Sequence, residues 1–401
     1  MKKGVSEKNT PFTNLVEGRL FLEVPYRYSA LSGQFTSLHT ERVRTLGRVL
    51  PLAEDIYLPL LIAHYFRLDI SPHNVTILDM PPTERLSFEK PIFELETRIE
   101  ALNKDSADAE TKEEIAQLRK TLLQLQKNVY SSLSPWETVE VARHPNRPQA
   151  LDYIDMMFNE FVELHGDRFF GNDPAIRTGW AKLDEFKVMV VGQHKGRNLK
   201  ERQQCNFGCP HPEGYRKALR TMKMAAKFRL PIICLMDTPG AFPGIASEER
   251  GVALTIAELM YEMSMLPTPI VCVVIGEGGS GGAISIGVGD RVAMLEHSYY
   301  SVISPEGCAG ILWKSHEYKD KAAEALKFRS KDLLRFGVVE EIIEEPIGGA
   351  QRNPHLAASR LKLFLRNQLK ELKKIPVEQL VSERYERFRK LGVFEEGTEV
   401  M

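Results

Sequence analysis

The residues best able to do chemistry lie in one stretch, Gly276-Glu-Gly-Gly-Ser-Gly-Gly282. Its glycines leave backbone N–H groups open, with no Cβ in the way. A helix starting at the end of such a loop adds unpaired amides and a positive dipole end. The product is a socket for a negative oxygen, whether of a phosphate, an oxyanion or an enolate. Three patterns overlap here. Gly276-x-Gly278-x-x-Gly281 fits a dinucleotide fingerprint, and Gly278-Gly-Ser-Gly-Gly282 fits the nucleophile elbow G-x-S-x-G. The loop also fits a plain oxyanion hole. An elbow makes Ser280 a nucleophile, and Asp290, His297 and His316 follow in a usable order. Against it, the loop has more glycines than an elbow needs. A dinucleotide site wants an acid about 20 residues on, where only Glu296 is available.

Positioning such a loop requires a rigid strand before it. Pro269–Ile275 is short, apolar and β-branched, which suits a parallel strand buried on both faces. The same rhythm precedes it. Lys187–Gly192 reads as a strand, Gly214–Arg229 as a helix and Pro231–Met236 as the next strand. That strand runs into Asp237-Thr-Pro-Gly-Ala-Phe-Pro-Gly244, a second glycine turn. A helix opens at Ser247-Glu-Glu249, with acids in its first turn. Special turns at the carboxyl ends of successive strands mark where ligands sit in an open α/β sheet. Arg291–Leu295 and Tyr299–Ser304 add short strands. Leu151–Leu164 reads as an amphipathic helix ended by His165-Gly-Asp-Arg168, whose His165 and Asp167 read as structural. Phe88–Leu125 reads as two antiparallel helices. Helices follow Asn353-Pro354 to the end.

The chain has 401 residues, 53 basic against 54 acidic. This balance argues against a general affinity for nucleic acid or anionic membranes. No apolar run is long enough for a transmembrane helix, and the N-terminus lacks a secretory signal. Five scattered cysteines suit a reduced, cytoplasmic setting. Between His194 and Arg229 stand ten Lys or Arg residues, opposed only by Glu201 and Glu213. They are either a solvated helix face or an approach for an anionic partner, with Lys195 and Arg197 as candidate contacts. Cys205-x3-Cys209-x-His211 is too loose for a structural zinc site. Residues 1–79 are hard to read. They are a surface extension or an artefact of the start site, since no methionine lies between Met1 and Met80.

Several ordered motifs together narrow the choice. Asp237-Thr-Pro-Gly-Ala-Phe-Pro-Gly244, Gly276–Ala283, Gly287-Val-Gly-Asp290 and Tyr300–Cys308, with Asn206-Phe-Gly208 and Pro212–Ala218, closely resemble the alpha subunit of bacterial acetyl-coenzyme A carboxylase carboxyltransferase. The resemblance runs from about Phe88 to about Leu372, and the family's chain normally begins near the equivalent of Met80, which favours the start-site explanation for residues 1–79. It implies an α/β crotonase-like (ClpP/crotonase) core of ββα units over 151–346. An N-terminal helical segment would span 80–150 and C-terminal helices 347–401. It implies carboxyl transfer from carboxybiotin on the biotin carboxyl carrier protein to acetyl-CoA, forming malonyl-CoA for fatty-acid synthesis. The partners it implies are a beta subunit in an α2β2 assembly, the carrier protein and biotin carboxylase, with any zinc on the beta subunit and no metal on this chain. By the family pattern, backbone amides at Gly281 and Gly282, with that of Ala283, serve the biotin oxygen. Gly278 and Gly279 shape the turn, and Gly240 and Ala241 line the crevice.

Overall fold

A computed structural model describes residues 85–105 and 109–392. The readings made for 1–79, for the loop at 106–108 and for the last residues lie outside the described residues.

The fold is α/β, built on one mixed sheet of eight strands: β1 Asn159–Glu163, β2 Ile176–Leu183, β3 Phe186–Gln193, β4 Ile232–Thr238, β5 Ile270–Gly279, β6 Arg291–Leu295, β7 Tyr299–Ser301 and β8 Glu341–Ile343. Their order is β1-β2-β3-β4-β5-β6-β8, with β7 pairing the far end of β5. The β1–β2 and β2–β3 pairs are antiparallel, and the other pairs are parallel. β2, β3 and the Pro212–Lys227 helix follow in the strand–strand–helix order expected above.

Period-two alternation explains the apolar run in β5. Val271, Val273 and Ile275 face a core shared with Leu361, Leu365 and Leu369 of the Pro354–Leu372 helix. Ile270, Cys272 and Val274 face the opposite core, with Met222 of the Pro212–Lys227 helix and Leu259 and Met263 of the Val252–Met265 helix. Covering both faces removes any reason for polar residues on the strand. The helices Lys90–Asp105 and Ala109–Ser131 are joined by an ion pair, Arg98 Nη2 to Glu114 Oε1 at 2.8 Å.

Four sequence readings need correction. The helix expected to open at Ser247-Glu-Glu249 is two: Ile245–Glu249 ends there, Gly251 turns to φ +76°, and Val252–Met265 follows. The helix expected over Leu151–Leu164 is Ala150–Met157 only. Phe158 turns the backbone to φ −108°, ψ 151°, and Asn159–Glu163 becomes β1. The apolar residues at 158, 161 and 162 suit either period, and the open edge of β2 decides for a strand. β2 itself has no counterpart in the sequence reading. It is joined to β3 through Asp184-Glu185, with Asp184 at φ +51°. Last, the turn expected from Gly276 begins four residues later. β5 continues to Gly279 because Glu277–Gly279 pair with Tyr299–Ser301, a partner remote in sequence.

The C-terminal segment is tied to the sheet by a buried pair. Arg147 Nη1 and Nη2 donate to Glu345 Oε2 and Oε1 at 2.9 and 2.5 Å, and Arg147 Nε donates to the Ile275 carbonyl at 2.9 Å. Glu345 also accepts from the His297 and Ala350 N–H groups. Burial raises the Glu345 pKa, but the Arg147 charge outweighs it and brings it to about 2. The folded value lies below the unfolded one of about 4.3, so the stabilisation is complete above about pH 4.3 and is lost as pH falls toward 2. The thermal midpoint of Glu345→Gln should lie well below wild type at pH 7 and converge on it through that window. A constant gap between the two proteins from pH 7 to 2.5 would contradict this.

Candidate active site

The site grows out of an irregularity between β4 and β5. Their register runs evenly to Met236↔Val274, then shifts so that Thr238 faces Gly278. Backbone groups released by such a break need other partners, because buried polar groups are costly when unpaired. Side chains supply them. Asp237 Oδ1 accepts from the Glu277 N–H at 2.9 Å, and Gln193 Oε1 accepts from the Asp237 N–H at 3.0 Å. A Cβ at Gly276 would stand 2.5 Å from Asp237 Oδ1, so this close approach requires glycine.

A buried charge cluster lies beside the break. Glu277 Oε1 accepts from Arg143 Nε at 2.6 Å and from the Tyr299 hydroxyl at 2.7 Å, and Oε2 meets Lys195 Nζ at 2.7 Å. Lys195 also pairs with Asp237 Oδ1 at 2.6 Å, and Arg143 with Glu306 Oε1 at 2.5 Å. Burial pushes the Glu277 carboxyl up, but Lys195 and Arg143 override it and hold it well below the usual range. Burial, aided by Glu277, pushes the Tyr299 phenol well up, so it stays protonated and donates. The cluster ties the strand ends to the Pro135–Ala142 helix, whose C-cap is Arg143.

Directly after β5 stands a five-residue helix, Ser280–Ile284, with Gly279 as its N-cap. Ser280 sits at φ +50°, in the left-handed region, which costs about 1–2 kcal/mol for an L residue. In a helix starting at Ser280 with Gly279 as N-cap, the first intrahelical bond joins the Ala283 N–H to the Gly279 carbonyl, so the Ala283 amide expected to serve the oxyanion is taken up by the helix instead. The N–H groups of Ser280, Gly281 and Gly282 are then the first-turn donors without an intrahelical partner. The second glycine turn packs against them. A Cβ on Gly282 would lie 2.6 Å from the Gly240 carbonyl carbon and 2.8 Å from the Ala241 nitrogen. One on Gly281 would meet only Ile256 Cδ1, at 3.5 Å. A Cβ on Gly278 would lie 2.8 Å from Tyr300 Cδ2, and one on Gly279 would lie 2.2 Å from the Pro239 carbonyl oxygen. The structure thus brings Gly240, Ala241, Gly278, Gly279, Gly281 and Gly282 together at the carboxyl ends of β4 and β5.

The basic stretch does not form an open patch of ten charges. Lys195 is enclosed by Asp237 and Glu277. Arg197 pairs with Asp152 and donates to the carbonyls of Pro145 and Arg147. Arg216 pairs with Asp167, Lys223 with Glu262, and Arg220 donates to the Gly166 and His165 carbonyls. Lys217 is buried, with Nζ on Asn172 and the Asp173 carbonyl. Apart from Glu213, which Arg216 also meets at 3.7 Å, the acids that answer these charges lie outside 194–229, beyond the reach of a local count. Asp167 accepts the N–H groups of Phe169, Phe170 and Gly171, a structural turn. Cys205 Sγ donates to the Pro174 carbonyl, and the His211 ring bonds the Ser247 hydroxyl. Among the described residues, no group of three or more His, Cys, Asp or Glu is arranged to hold a metal ion.

The serine-elbow reading fails on its partners. The strand–turn–helix shape and the positive φ at Ser280 are those of an elbow, which is why the pattern matched. Asp290, however, is held by Arg384 through Nε at 2.8 Å and Nη2 at 2.9 Å. The His297 ring lies against Tyr130 at 5.5 Å, and His316 Nδ1 bonds the Glu306 carbonyl. Sequence reasoning missed Gln193, Arg143, Tyr299 and Glu306. Their roles depend on strands and helices meeting; only Glu306 stands in a motif, Tyr300–Cys308, and that motif does not show its partner Arg143.

Residues 85–392 match the family described as acetyl co-enzyme A carboxylase carboxyltransferase-like. The acetyl-coenzyme A carboxylase carboxyl transferase subunit alpha of Rhodopirellula baltica is 60% identical over 310 residues, 77% of this chain and 97% of that one. Its namesake in Methylococcus capsulatus is 54% identical over 313 residues, 78% of this chain and 98% of that one. Among solved structures, the transcarboxylase 12S core aligns with TM-score 0.44 and 16% identity, covering 63% of this chain and 44% of that one. With relatives more than half identical over nearly their whole length, this chain belongs to the acetyl-coenzyme A carboxylase carboxyltransferase family, among its alpha subunits.

Proposed function

We propose that the chain is the alpha half of a carboxyltransferase that moves a carboxyl group from carboxybiotin to acetyl-CoA, forming malonyl-CoA. The observation that carries this is the first turn of the Ser280–Ile284 helix, with the Gly281 and Gly282 amides free of intrahelical partners beside the Gly240–Ala241 turn. In the transfer, the bond from biotin N1 to the carboxyl carbon breaks and its electron pair moves into the ureido group. A bond forms from the acetyl methyl carbon to that carboxyl carbon, and the methyl proton goes to the released biotin. Negative charge therefore develops on the ureido oxygen and on the thioester oxygen. Preorganised N–H donors stabilise such charge, each contributing about 2.7–4 kcal/mol.

In this reading Gly281 and Gly282 donate to the ureido oxygen, and the thioester oxygen is met chiefly by a beta subunit. Ala283, whose N–H closes the helix, supports the turn from behind. Gly240 and Ala241 line the crevice, while Gly278 and Gly279 let β5 approach Tyr300 and Pro239. Lys195 and Arg197 act from beneath, holding strand ends and loop through their acidic partners. The working unit is an α2β2 assembly in the cytoplasm, served by the biotin carboxyl carrier protein and biotin carboxylase. None of the described helices is long and apolar enough to cross a membrane.

The test is transfer of labelled carboxyl from carboxybiotin to acetyl-CoA, with this chain alone, a beta subunit alone, and the two together. Activity only in the pair is expected, and a pair without activity would end the proposal. Ser280→Ala should keep at least about a tenth of wild-type kcat, because the oxyanion contribution comes from backbone amides. A fluorophosphonate should leave Ser280 unlabelled. Complete loss in Ser280→Ala, with folding intact, would return the hydroxyl to the chemistry.

A further inference from the structure

Gln193 ends β3 and is wholly buried. Its amide spans two other elements. Oε1 accepts from the Asp237 N–H at 3.0 Å, and Nε2 donates to the Gly282 carbonyl at 2.6 Å. The two backbone partners fix its orientation, since an N–H needs an acceptor and a carbonyl needs a donor. The same carbonyl takes a second bond, from the Ser285 hydroxyl at 2.7 Å. The helix stops at Ile284, and the Ile286 N–H turns to the Ala283 carbonyl at 3.3 Å. Two side chains thus serve a carbonyl that a longer helix would have paired with its own backbone.

This matters because the helix is weak by itself. Ser-Gly-Gly-Ala-Ile is little more than one turn, and isolated short helices are unstable. Each glycine costs about 0.8–1 kcal/mol relative to alanine. The direction of the Gly281 and Gly282 amides must therefore be imposed from outside. Gln193 does so from the sheet, since its other end is bound to the same Asp237 that the break between β4 and β5 uses.

We infer that Gln193 is a positioning residue: its amide clamps the Gly282 carbonyl to the end of β4 and so holds the Gly281 and Gly282 N–H groups in place for the developing oxyanion. The inference rests on the oxyanion reading given above. A misplacement of about 1 Å in such a site lowers rate on the order of 10²-fold.

The test uses the assembled complex and three variants. In Gln193→Glu, the neutral carboxyl offers an O–H and a carbonyl in the pattern of the amide. The ionised form presents only acceptors, one of them to the Gly282 carbonyl. Gln193→Met offers neither. Ser285→Ala removes the second donor to the same carbonyl and spares Gln193. At pH 8.5, both Gln193 variants should show kcat lowered on the order of 10²-fold, with KM for acetyl-CoA nearly unchanged. Lowering the pH toward 6 should restore Gln193→Glu relative to wild type at the same pH, and should leave Gln193→Met low. Ser285→Ala should lower kcat less, again without moving KM, and keeps the question open to a result if the Gln193 variants do not fold. The charged groups facing this position are Asp237, with Lys195 and Glu277 behind it, and neighbouring His194, whose pKa burial lowers to about 4. All are present in the wild-type reference. Wild-type kcat in folded Gln193→Met, or a Gln193→Glu profile parallel to wild type, overturns the clamp. A wild-type complex without carboxyl transfer overturns the functional reading beneath it instead.

Discussion

Gly282→Ala is expected to lower carboxyl transfer on the order of 10²–10³-fold, the cost of removing an oxyanion donor. The added Cβ would fall 2.6 Å from the Gly240 carbonyl carbon, 2.8 Å from the Ala241 nitrogen and 2.9 Å from the Gly240 oxygen. These are backbone atoms, so neither side can give way by changing a rotamer. One of the two turns must move, and the Gly282 N–H moves with it. Gly281→Ala is the contrasting case. Its Cβ meets only the tip of Ile256 at 3.5 Å, and alanine favours the helix by about 0.8–1 kcal/mol. Its thermal midpoint should equal or exceed wild type, whereas that of Gly282→Ala should fall. Carboxyl-transfer kinetics and thermal unfolding of both variants decide the matter. Full activity in Gly282→Ala would show that the contact between the turns does not set the donor.

Glu277→Ala is expected to destabilise the chain by about 3–5 kcal/mol, the range for removing one partner of a buried ion pair. The carboxylate is fully enclosed and bonded to Arg143, Lys195 and Tyr299. Removing it leaves Arg143 with Glu306 and Lys195 with Asp237, each pair carrying fewer hydrogen bonds than its donors can make. Lys223→Ala is a suitable control. Its pair with Glu262 is as short, 2.7 Å, but the lysine is 45% exposed. Such surface pairs contribute about 0.2–1 kcal/mol. Urea unfolding of the two variants should therefore separate clearly. Equal midpoints would mean that the buried cluster adds no more than a surface pair.

The main sheet strands were legible because burial on both faces leaves a local mark. Ile270–Val274 can hardly be anything but apolar when helices cover each side, and the helices themselves carry 3.6-residue periodicity. The two glycine turns were legible for a related reason. Gly276, Gly279 and Gly282 each touch backbone or a buried carboxylate too closely for a Cβ, so the residue type records the contact. Where a segment fits two periods, the local mark fails. Asn159–Glu163 became a strand because β2 offered an edge. β5 outran its expected end because β7 was there to pair with it.

The chain's own letters determined that a glycine-rich turn into a short helix follows a buried strand, and that a second turn of similar composition precedes it. They also carried the family pattern over some 300 residues, which the relatives bear out. Tertiary structure decided which groups surround that turn. Lys195 left the supposed approach for an anionic partner because Asp237 and Glu277, 42 and 82 residues away, enclose it. Asp290 left the supposed triad because Arg384 claims it from the last described helix. Gln193, with no motif around it, bonds both the end of β4 and the helix turn after β5. Partners of charges and buried amides lie wherever the fold brings a complementary group, at sequence distances that no local pattern encodes.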